Sequence, residues 1–394
     1  MAIKVIPAHL VAVGRQECGN LGQLQAAHAG GPRRVVRMLD RFMAEGCLCI
    51  VFDCLGASLH DARAAGRLSP LSLSLLRSIA LQSMQGLAEV HNAGLIHADI
   101  KPHNILMGTR ALHNVAVQQA VLPSLPLGAA EHSGLAFHAP TCTQAALDPE
   151  STQVNLIDLG NAIAFGDVHA CCSDFEVAPL GYRAPELLLG CPAIDFKIDV
   201  WGLGMVLLEM ALNDRVVNAL SAQHALGIVA DLLGPLPKSL LQRSSLPQRA
   251  APFTAATAPS EGMVSPGSAA HCSVAVGLLL RQQKSKWASV PHLVGFLGGC
   301  LALEPQQRMS PLQALQHPFL ESLFPLRSVL PPAAVEALHR CSAAAGADAA
   351  VAGRAPGSGP TVPIPASKRP RARGVKRQRE KLSGLGALTV ANNE

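Results

Sequence analysis

Four polar side chains lie within eight positions of one another in the stretch GLIHADIKPHN, residues 94–104. They are an imidazole, a carboxylate, an ammonium and an amide, from His97, Asp99, Lys101 and Asn104. Transfer of a phosphoryl group from ATP to a hydroxyl needs a carboxylate to accept the hydroxyl proton, oxygen ligands for Mg²⁺, and cations that offset phosphate charge. Asp99 can accept the proton, Lys101 can reach the transferred group, and Asn104 offers an amide oxygen to the metal ion.

A second carboxylate for the metal ion comes from Asp158 in the stretch VNLIDLG, residues 154–160. The run VNLID at 154–158 predicts a short strand, and Gly160 after it predicts a turn. Taken singly, an Asp before a Gly more often belongs to an ordinary turn, and a lone His-x-Asp is usually incidental. Together, the two stretches predict a site for phosphoryl transfer on loops at strand ends.

A helix is predicted immediately before the first of these loops. Ser69 and Pro70 are typical of a helix cap and first turn, and Gly94 is a stop signal. Apolar residues between them recur at three- and four-residue spacing: Leu73, Leu76, Ala80, Met84 and Leu87. This helix would deliver the chain to the loop that carries Asp99.

The elements around the site are predicted from hydrophobic periodicity. Runs at 2–6, 35–39 and 48–52 are typical of strands, and the polar stretch at 14–29 between the first two is typical of a helix. The stretch DVWGLGMVLLEM at 199–210 is apolar on every side, which predicts a buried helix. A small mixed layer is therefore expected first, followed by mainly helical structure.

The basic residues are concentrated at the end of the chain. The formal net charge is +5, but residues 368–394 hold eight basic and two acidic residues, so the rest is close to neutral. We expect a short C-terminal extension at residues 325–341. Residues 342–394 have the composition of a disordered tail. The basic run 367–381 indicates nuclear import or contact with nucleic acid. Because no aromatic residue lies among the charges to stack on bases, any such contact would be with phosphates. A solvated charged tail is the alternative, and the cellular distribution of a chain lacking 367–381 separates the two.

Composition excludes several classes of protein. The sequence has no run of eighteen uncharged apolar residues, and its first residues lack the pattern of a signal peptide. The eleven cysteines are scattered without a C-x-x-C pair, which is typical of reduced thiols. We therefore expect a protein of the nucleus, the cytoplasm or both, acting as a monomer without contact with a membrane.

Six stretches resemble, in their order, the motifs of the eukaryotic protein kinases. HADIKPHN is similar to the catalytic loop H-R-D-x-K-x-x-N, DLG to D-F-G, and MAIK to the V-A-I-K strand. YRAPE at 182–186 resembles the A-P-E segment, and the stretches 197–204 and 303–320 resemble two later helical regions. Finer features are most similar to the CMGC group, in particular the homeodomain-interacting and dual-specificity tyrosine-regulated kinases, while DLGNA resembles the SR-protein kinases.

The resemblance implies an α+β, two-lobed protein kinase-like fold over residues 1–324. A small β-rich N-lobe would occupy residues 1–55, apparently without the first two strands of the family, and a mainly helical C-lobe would occupy 56–324. Stretches rich in Pro, Ser and Ala at 108–153 and 245–275 would be insertions in the C-lobe.

The resemblance also implies roles for individual residues. Asp99 would be the catalytic base, and Lys101 would contact the transferred phosphate, as in kinases that act on Ser and Thr. Asn104 and Asp158 would bind Mg²⁺. Lys4 would hold the α- and β-phosphates of ATP, with an exposed lysine on an amphipathic strand as the alternative interpretation.

Further implied roles concern the nucleotide and the frame of the site. The nucleotide would be bound by four more residues: Phe52 as the gatekeeper, Asp53 and Leu55 through their backbones, and Leu106. Glu186 and Arg308 would form a structural ion pair, and Asp199 would brace the backbone of the catalytic loop. The implied cofactors are ATP and Mg²⁺, and the implied partners are protein substrates.

Several positions depart from the family pattern. The position of the glutamate that should pair with Lys4 aligns with Asn20, while Glu17 lies one helical turn earlier on a similar face and would substitute for it if the helix shifts. Pro179 stands where a small hydroxyl residue would orient the catalytic Asp, and Ala98 stands where an arginine would bind a phosphate on the activation loop.

Two interpretations of function therefore stay open. The Gly-rich loop that would precede MAIK has no counterpart after Met1, so we expect further coding sequence upstream, with nucleotide binding without this loop as the alternative. Glu176, at the position of an activating phosphotyrosine, is either a fixed negative charge or a solvated loop residue. An active Ser/Thr protein kinase is predicted, and a catalytically weak or inactive pseudokinase scaffold is the alternative.

Overall fold

The computed structural model describes residues 1–28, 30, 33–109, 152–167, 178–254 and 265–321. Most of the predicted insertion at 108–153, Glu176 and the residues beyond 321, with the basic run 367–381, lie outside this part of the chain. A β-sheet with one helix comes first and mainly helical structure follows, which confirms the predicted α+β class.

Three antiparallel strands form the N-terminal sheet in the order β1–β3–β2. They span Ala2–Ile6 (β1), Met38–Ala44 (β2) and Cys47–Phe52 (β3). The strand predicted at 35–39 begins instead at Met38. The reason is that Val36 N and Arg34 O form hydrogen bonds of 2.9 and 2.8 Å with Leu156 of a later strand, so these residues are already paired elsewhere.

The helix predicted at 14–29 spans Val11–Ala27 (α1) and packs against the sheet. Gly14 permits this close approach. A Cβ at this position would lie 2.5 Å from Ile6 Cδ1 and 2.9 Å from Leu48 Cδ2. Because the helix fits tightly, the side chains on its inner face hold fixed positions relative to β1.

Two helices follow the sheet, α2 at Leu59–Ala64 and α3 at Leu73–Asn92. The start predicted at Ser69 was wrong: Ser72 is the N-cap of α3, and its hydroxyl accepts a hydrogen bond of 3.1 Å from Leu75 N. This bond satisfies one of the free amide groups of the first turn. The predicted stop is confirmed, since Gly94 follows the helix with a φ of 73°.

Four short strands after α3 form two antiparallel pairs. They are Leu95–Ile96 (β4), Ile105–Thr109 (β5), Thr152–Leu156 (β6) and Ile163–Ala164 (β7), with β4 paired to β7 and β5 to β6. The strand predicted at 154–158 thus ends before Asp158, which lies in a loop. Through these pairs, the loop after β4 and the loop after β6 lie side by side.

The remaining helices form the larger part of the molecule. They are α4 (Pro185–Leu188), α5 (Lys197–Leu212), α6 (Ala222–Leu233), α7 (Lys238–Gln242), α8 (Pro247–Ala250), α9 (Ala269–Gln282), α10 (Leu293–Cys300), α11 (Pro311–Leu315) and α12 (Pro318–Glu321). Every residue of α5 from Ile198 to Ala211 is buried, as the apolar residues on every side of the helix predicted. The range 245–275, predicted as an insertion, contains all of α8 and the start of α9. No helix within the described ranges is both long and apolar enough to cross a membrane.

Candidate active site

The loop between β4 and β5 presents a buried carboxylate. Asp99 is only 4% exposed. Its Oδ2 accepts hydrogen bonds from Lys101 Nζ at 2.9 Å and from Asn104 Nδ2 at 3.1 Å, and Asn104 Nδ2 also donates to the Asp99 carbonyl oxygen at 2.9 Å. The three side chains that the sequence singled out are therefore in contact, and Asp99 is oriented by its own loop.

Asp199, at the start of α5, braces this loop from below. Its carboxylate accepts hydrogen bonds of 2.8 Å from the backbone N–H groups of His97 and Ala98, and His91 Nε2 lies 2.8 Å from the same carboxylate. Ala98 has a φ of 65°, a conformation that L-residues rarely adopt. The buried carboxylate of Asp199 stabilises this strained backbone directly before Asp99.

A second charged cluster lies across the cleft, on β1, α1 and the loop after β6. Lys4 Nζ is 2.9 Å from Glu17 Oε1 and 2.9 Å from Asp158 Oδ1. Burial alone would lower the pKa of Lys4, but the carboxylates of Asp158 and Glu17 outweigh it and raise the pKa. Burial opposes the ionisation of Asp158, yet the Lys4 ammonium holds the pKa of that carboxyl below its usual value. Burial, helped by the Asp158 charge, raises the pKa of Glu17 in spite of the Lys4 ammonium. Lys4 and Asp158 are therefore the members whose charged forms are favoured, and Lys4 is not a free surface lysine.

The predicted alignment of Asn20 with the partner of Lys4 was wrong. Glu17, 3% exposed, makes the ion pair. Asn20 instead donates from Nδ2 to the carbonyl oxygens of Leu159 at 2.9 Å and Ala162 at 3.2 Å. Its amide thus holds the turn after Asp158, a task for which a carboxylate, having no donor, would be unsuited.

The residues predicted to bind a nucleotide base lie together at one edge of the cleft. Phe52 ends β3 and is buried, and the connecting segment after it runs beside β5, where Met107 N donates to Ala57 O at 2.8 Å. Gly56 is required here, because a Cβ would lie 1.8 Å from the Met107 carbonyl oxygen.

This packing also brings in the remaining three residues of the predicted nucleotide site. Leu106 pairs with Ser58 across an isolated bridge, which places β5 beside the segment that follows Asp53 and Leu55 along the chain. The side chain of Asp53 forms a salt bridge with Arg37, whose Nε lies 3.3 Å from Asp53 Oδ2.

Two oxygens of the site retain acceptor capacity. Asn104 bonds to Asp99 through its Nδ2 group, and Asp158 receives Lys4 and the Gly160 N–H on Oδ1. Within the described residues, no hydrogen bond occupies Asn104 Oδ1 or Asp158 Oδ2. Mg²⁺ prefers such oxygens and commonly takes one or two protein ligands together with substrate phosphates. The donor set therefore fits Mg²⁺ bound with a nucleotide. In the part of the chain that the structure describes, no cluster of three or more His, Cys, Asp or Glu side chains offers another metal site.

Asn161 is a member of the site to which the sequence analysis gave no role. It ends the 3₁₀ turn Leu159–Asn161, and its Nδ2 donates to Asp99 Oδ2 at 3.3 Å. The stretch DLGN places it three residues after Asp158, but no spacing rule predicts contact with a residue 62 positions away. Pro179 begins another 3₁₀ turn and has no side-chain donor.

The frame below the site contains the predicted ion pair. Arg308 Nη1 and Nη2 lie 2.6 and 2.9 Å from the two carboxylate oxygens of Glu186, and both side chains are almost fully buried. Arg308 also donates to the carbonyl oxygens of Ala302 and Lys197 and stacks over the Trp201 ring at 5.1 Å. The pair joins the segment after the Pro179 turn to α5.

Comparison with known proteins agrees with this geometry. A family model described as "Protein kinase domain" matches residues 1–320. The chain is 27% identical over 296 residues to serine/threonine-protein kinase AFC3 of Arabidopsis thaliana, covering 74% of this chain and 68% of that protein. It is 25% identical over 337 residues to dual specificity tyrosine-phosphorylation-regulated kinase 3 of Mus musculus, covering 79% and 47%. It is also 25% identical over 321 residues to dual specificity protein kinase YAK1 of Saccharomyces cerevisiae, covering 72% and 34%. The matches thus span from about a third to about two thirds of these relatives.

Proposed function

The chain belongs to the protein kinase domain family, and from that premise we propose that it transfers the γ-phosphoryl group of ATP to Ser or Thr hydroxyls of protein substrates. The observation that carries the proposal is the buried Asp99 carboxylate, bonded to Lys101 and Asn104 opposite the Lys4–Glu17–Asp158 cluster. Its similarity to AFC3 and to the dual specificity kinases supports a place in the CMGC group, and the choice of subfamily is part of the proposal.

The residues divide the work of phosphoryl transfer among them. Asp99 accepts the proton of the substrate hydroxyl, and Lys101 stabilises charge on the transferred group. Mg²⁺, when bound by Asn104 and Asp158, neutralises charge on the phosphates. Lys4, kept protonated by two carboxylates, holds the phosphates on the opposite side of the cleft.

The nucleotide base would lie at the edge where β3 ends. The backbone groups of Asp53 and Leu55 hydrogen-bond the adenine ring, Leu106 packs against it, and the buried Phe52 closes the back of the pocket. Gly56 keeps this segment close to β5.

The proposal is tested by replacing the base. The full chain and its Asp99→Asn variant are incubated with Mg²⁺, labelled ATP and myelin basic protein as a generic acceptor. We expect the rate of transfer to fall by at least about a hundredfold, the usual contribution of a general base, and to vanish when EDTA removes the metal. Phosphoamino-acid analysis should find phosphoserine and phosphothreonine.

Asp40→Asn is the matched control, because Asp40 is an exposed carboxylate on β2 whose change should leave the rate within about twofold. Equal rates for the full chain and Asp99→Asn would contradict the proposal. The pseudokinase scaffold remains the second candidate because Pro179 offers no donor to the site. It would be supported if the chain folds and binds nucleotide without transferring phosphate.

We further propose that the protein acts as a monomer in the nucleus, the cytoplasm or both. Residues 1–367 are close to neutral in formal net charge, so we assign any nucleic-acid contact to the basic run 367–381.

A further inference from the structure

Three side chains donate hydrogen bonds to the same oxygen of Asp99. Lys101 Nζ, Asn104 Nδ2 and Asn161 Nδ2 lie 2.9, 3.1 and 3.3 Å from Asp99 Oδ2. Among the described residues, none donates a side-chain hydrogen bond to Oδ1. Because the donors all gather on Oδ2, the lone pairs of Oδ1 stay available for an incoming hydroxyl.

Asn161 differs from the other two donors in where it comes from. Lys101 and Asn104 belong to the same loop as Asp99, so they move with it. Asn161 ends the 3₁₀ turn after Asp158, a turn that is tied to α1 by the two hydrogen bonds from Asn20. It is therefore the donor that couples the orientation of Asp99 to the loop carrying the second proposed metal ligand.

The direction of this hydrogen bond is determined by charge. An ionised carboxylate only accepts hydrogen bonds, so the amide group of Asn161 that faces Asp99 must be the NH₂ and not the oxygen. A hydrogen bond to a charged acceptor is stronger than one between neutral groups. A single exposed asparagine can therefore affect the orientation of a buried carboxylate.

We propose that Asn161 is a positioning residue for the catalytic base: it fixes the Asp99 carboxylate with Oδ1 toward the acceptor hydroxyl, in a site where Pro179 contributes no donor. This inference rests on the proposed function. Asn161 touches neither the acceptor nor the nucleotide in this role, so its loss should lower the rate of the chemical step and leave nucleotide affinity unchanged.

The experiment measures kcat and the KM for ATP for three Asn161 variants of the full chain, with myelin basic protein as acceptor. Asn161→Ala should lower kcat about tenfold and leave the KM for ATP within about twofold of the unchanged chain. A tenfold loss is at the lower end of the range for a hydrogen bond to a charged group, because this bond is long. Asn161→Asp should lower kcat further, because two carboxylates would face each other. Asn161→Gln keeps the donor on a longer side chain and should restore part of the loss.

Asn155→Ala is the matched control. Asn155 Nδ2 makes an amide hydrogen bond of the same length, 3.3 Å, but to the Arg33 carbonyl oxygen and not to Asp99. Asn155 is half-buried, and because its side chain does not bond to the base, its loss should leave kcat within about twofold. The inference would be overturned if Asn161→Ala had the same kcat as the unchanged chain. It would also be overturned if Asn161→Ala lowered kcat by the same factor in a chain that already carries Asp99→Asn, because the effect would then not act through Asp99.

A second measurement decides the contact without relying on turnover. The chain is labelled with ¹⁵N-asparagine, and the side-chain amide resonance that disappears in Asn161→Ala is assigned to Asn161. The position of this resonance is then compared between the unchanged chain and Asp99→Asn, with the Asn155 resonance as reference. We expect the Asn161 resonance to shift when the carboxylate is replaced. If the unchanged chain transfers no phosphate, the proposed function fails, and an unshifted Asn161 resonance would overturn this inference independently.

Discussion

At the scale of single residues, the charges around Lys4 depend on one glutamate. Glu17 Oε1 and Oε2 both lie 2.9 Å from Lys4 Nζ, while Asp158 contributes one oxygen at the same distance. Two carboxylates share one ammonium, so removing either changes the orientation of the lysine. Because Glu17 is buried, water cannot replace its contact fully.

Glu17→Gln should lower kcat/KM for ATP by about ten- to a hundredfold. An amide brings no charge to Lys4, which would then turn toward Asp158 and away from the nucleotide phosphates. Initial rates at varied ATP give the result. Arg15→Gln, a change on the exposed side of the same helix, is the control, and a value of kcat/KM for Glu17→Gln within twofold of the unchanged chain would refute a role for this ion pair.

At the scale of elements, buried polar contacts fix how the helices and loops join. Asp199 ties α5 to the strained backbone at Ala98, and Arg308 ties α5 and the residues after α10 to Glu186 at the start of α4. These groups are buried and paired, so their loss leaves an uncompensated charge in the core. The helices thus hold the loop of Asp99 in place from below.

Arg308→Gln should lower the free energy of unfolding by about 3 to 5 kcal/mol, because Glu186 would remain buried and unpaired. Urea unfolding followed by circular dichroism measures the change. Arg243→Gln is the matched control: Arg243 pairs with Glu304, but its side chain is 33% exposed, so we expect a loss of about 1 kcal/mol or less. Equal losses for the two variants would show that burial is not the deciding factor.

At the scale of the whole molecule, the segment between α1 and β2 connects the N-terminal sheet to the helical part. Arg34 N donates to Glu89 Oε1 on α3 at 2.8 Å, and Arg34 Nε donates to Gln85 Oε1 at 3.1 Å. Burial raises the pKa of Glu89 from its ordinary value of 4.5 to about 7, although the Arg34 amide and the Arg33 and Arg34 charges act in the opposite direction. The junction therefore contains a group that titrates near neutral pH.

The contribution of Glu89 to the free energy of unfolding should consequently fall as pH rises from about 4.5 to about 7. In that interval the folded chain keeps a proton that the unfolded chain has already released, so the free energy of unfolding decreases with pH. Glu89→Gln, which resembles the protonated acid, should stabilise the protein at pH 8 by about 1 to 3 kcal/mol and change little at pH 5. Urea unfolding at the two pH values, with the exposed Glu45→Gln as control, measures this; an equal effect at both pH values would contradict it.

The sequence by itself determined the reacting set. Asp99, Lys101 and Asn104 are close along the chain, so their spacing leaves little freedom once they share a loop, and they are in contact in the structure. A small mixed layer followed by helical structure, and the buried helix α5, were also predicted from the hydrophobic pattern, because that pattern is a local property that packing rarely reverses.

Only the tertiary structure decided which of several equivalent residues makes each contact. Glu17 and Asn20 lie three residues apart on similar faces of α1, so the position of that helix on the sheet selects Glu17 for Lys4 and Asn20 for the turn after Asp158. Ser69 and Ser72 are both suitable caps, and the fold uses Ser72. Asn161 reaches Asp99 across 62 positions, a contact that depends on how two loops pack together, and local sequence contains no information about that distance.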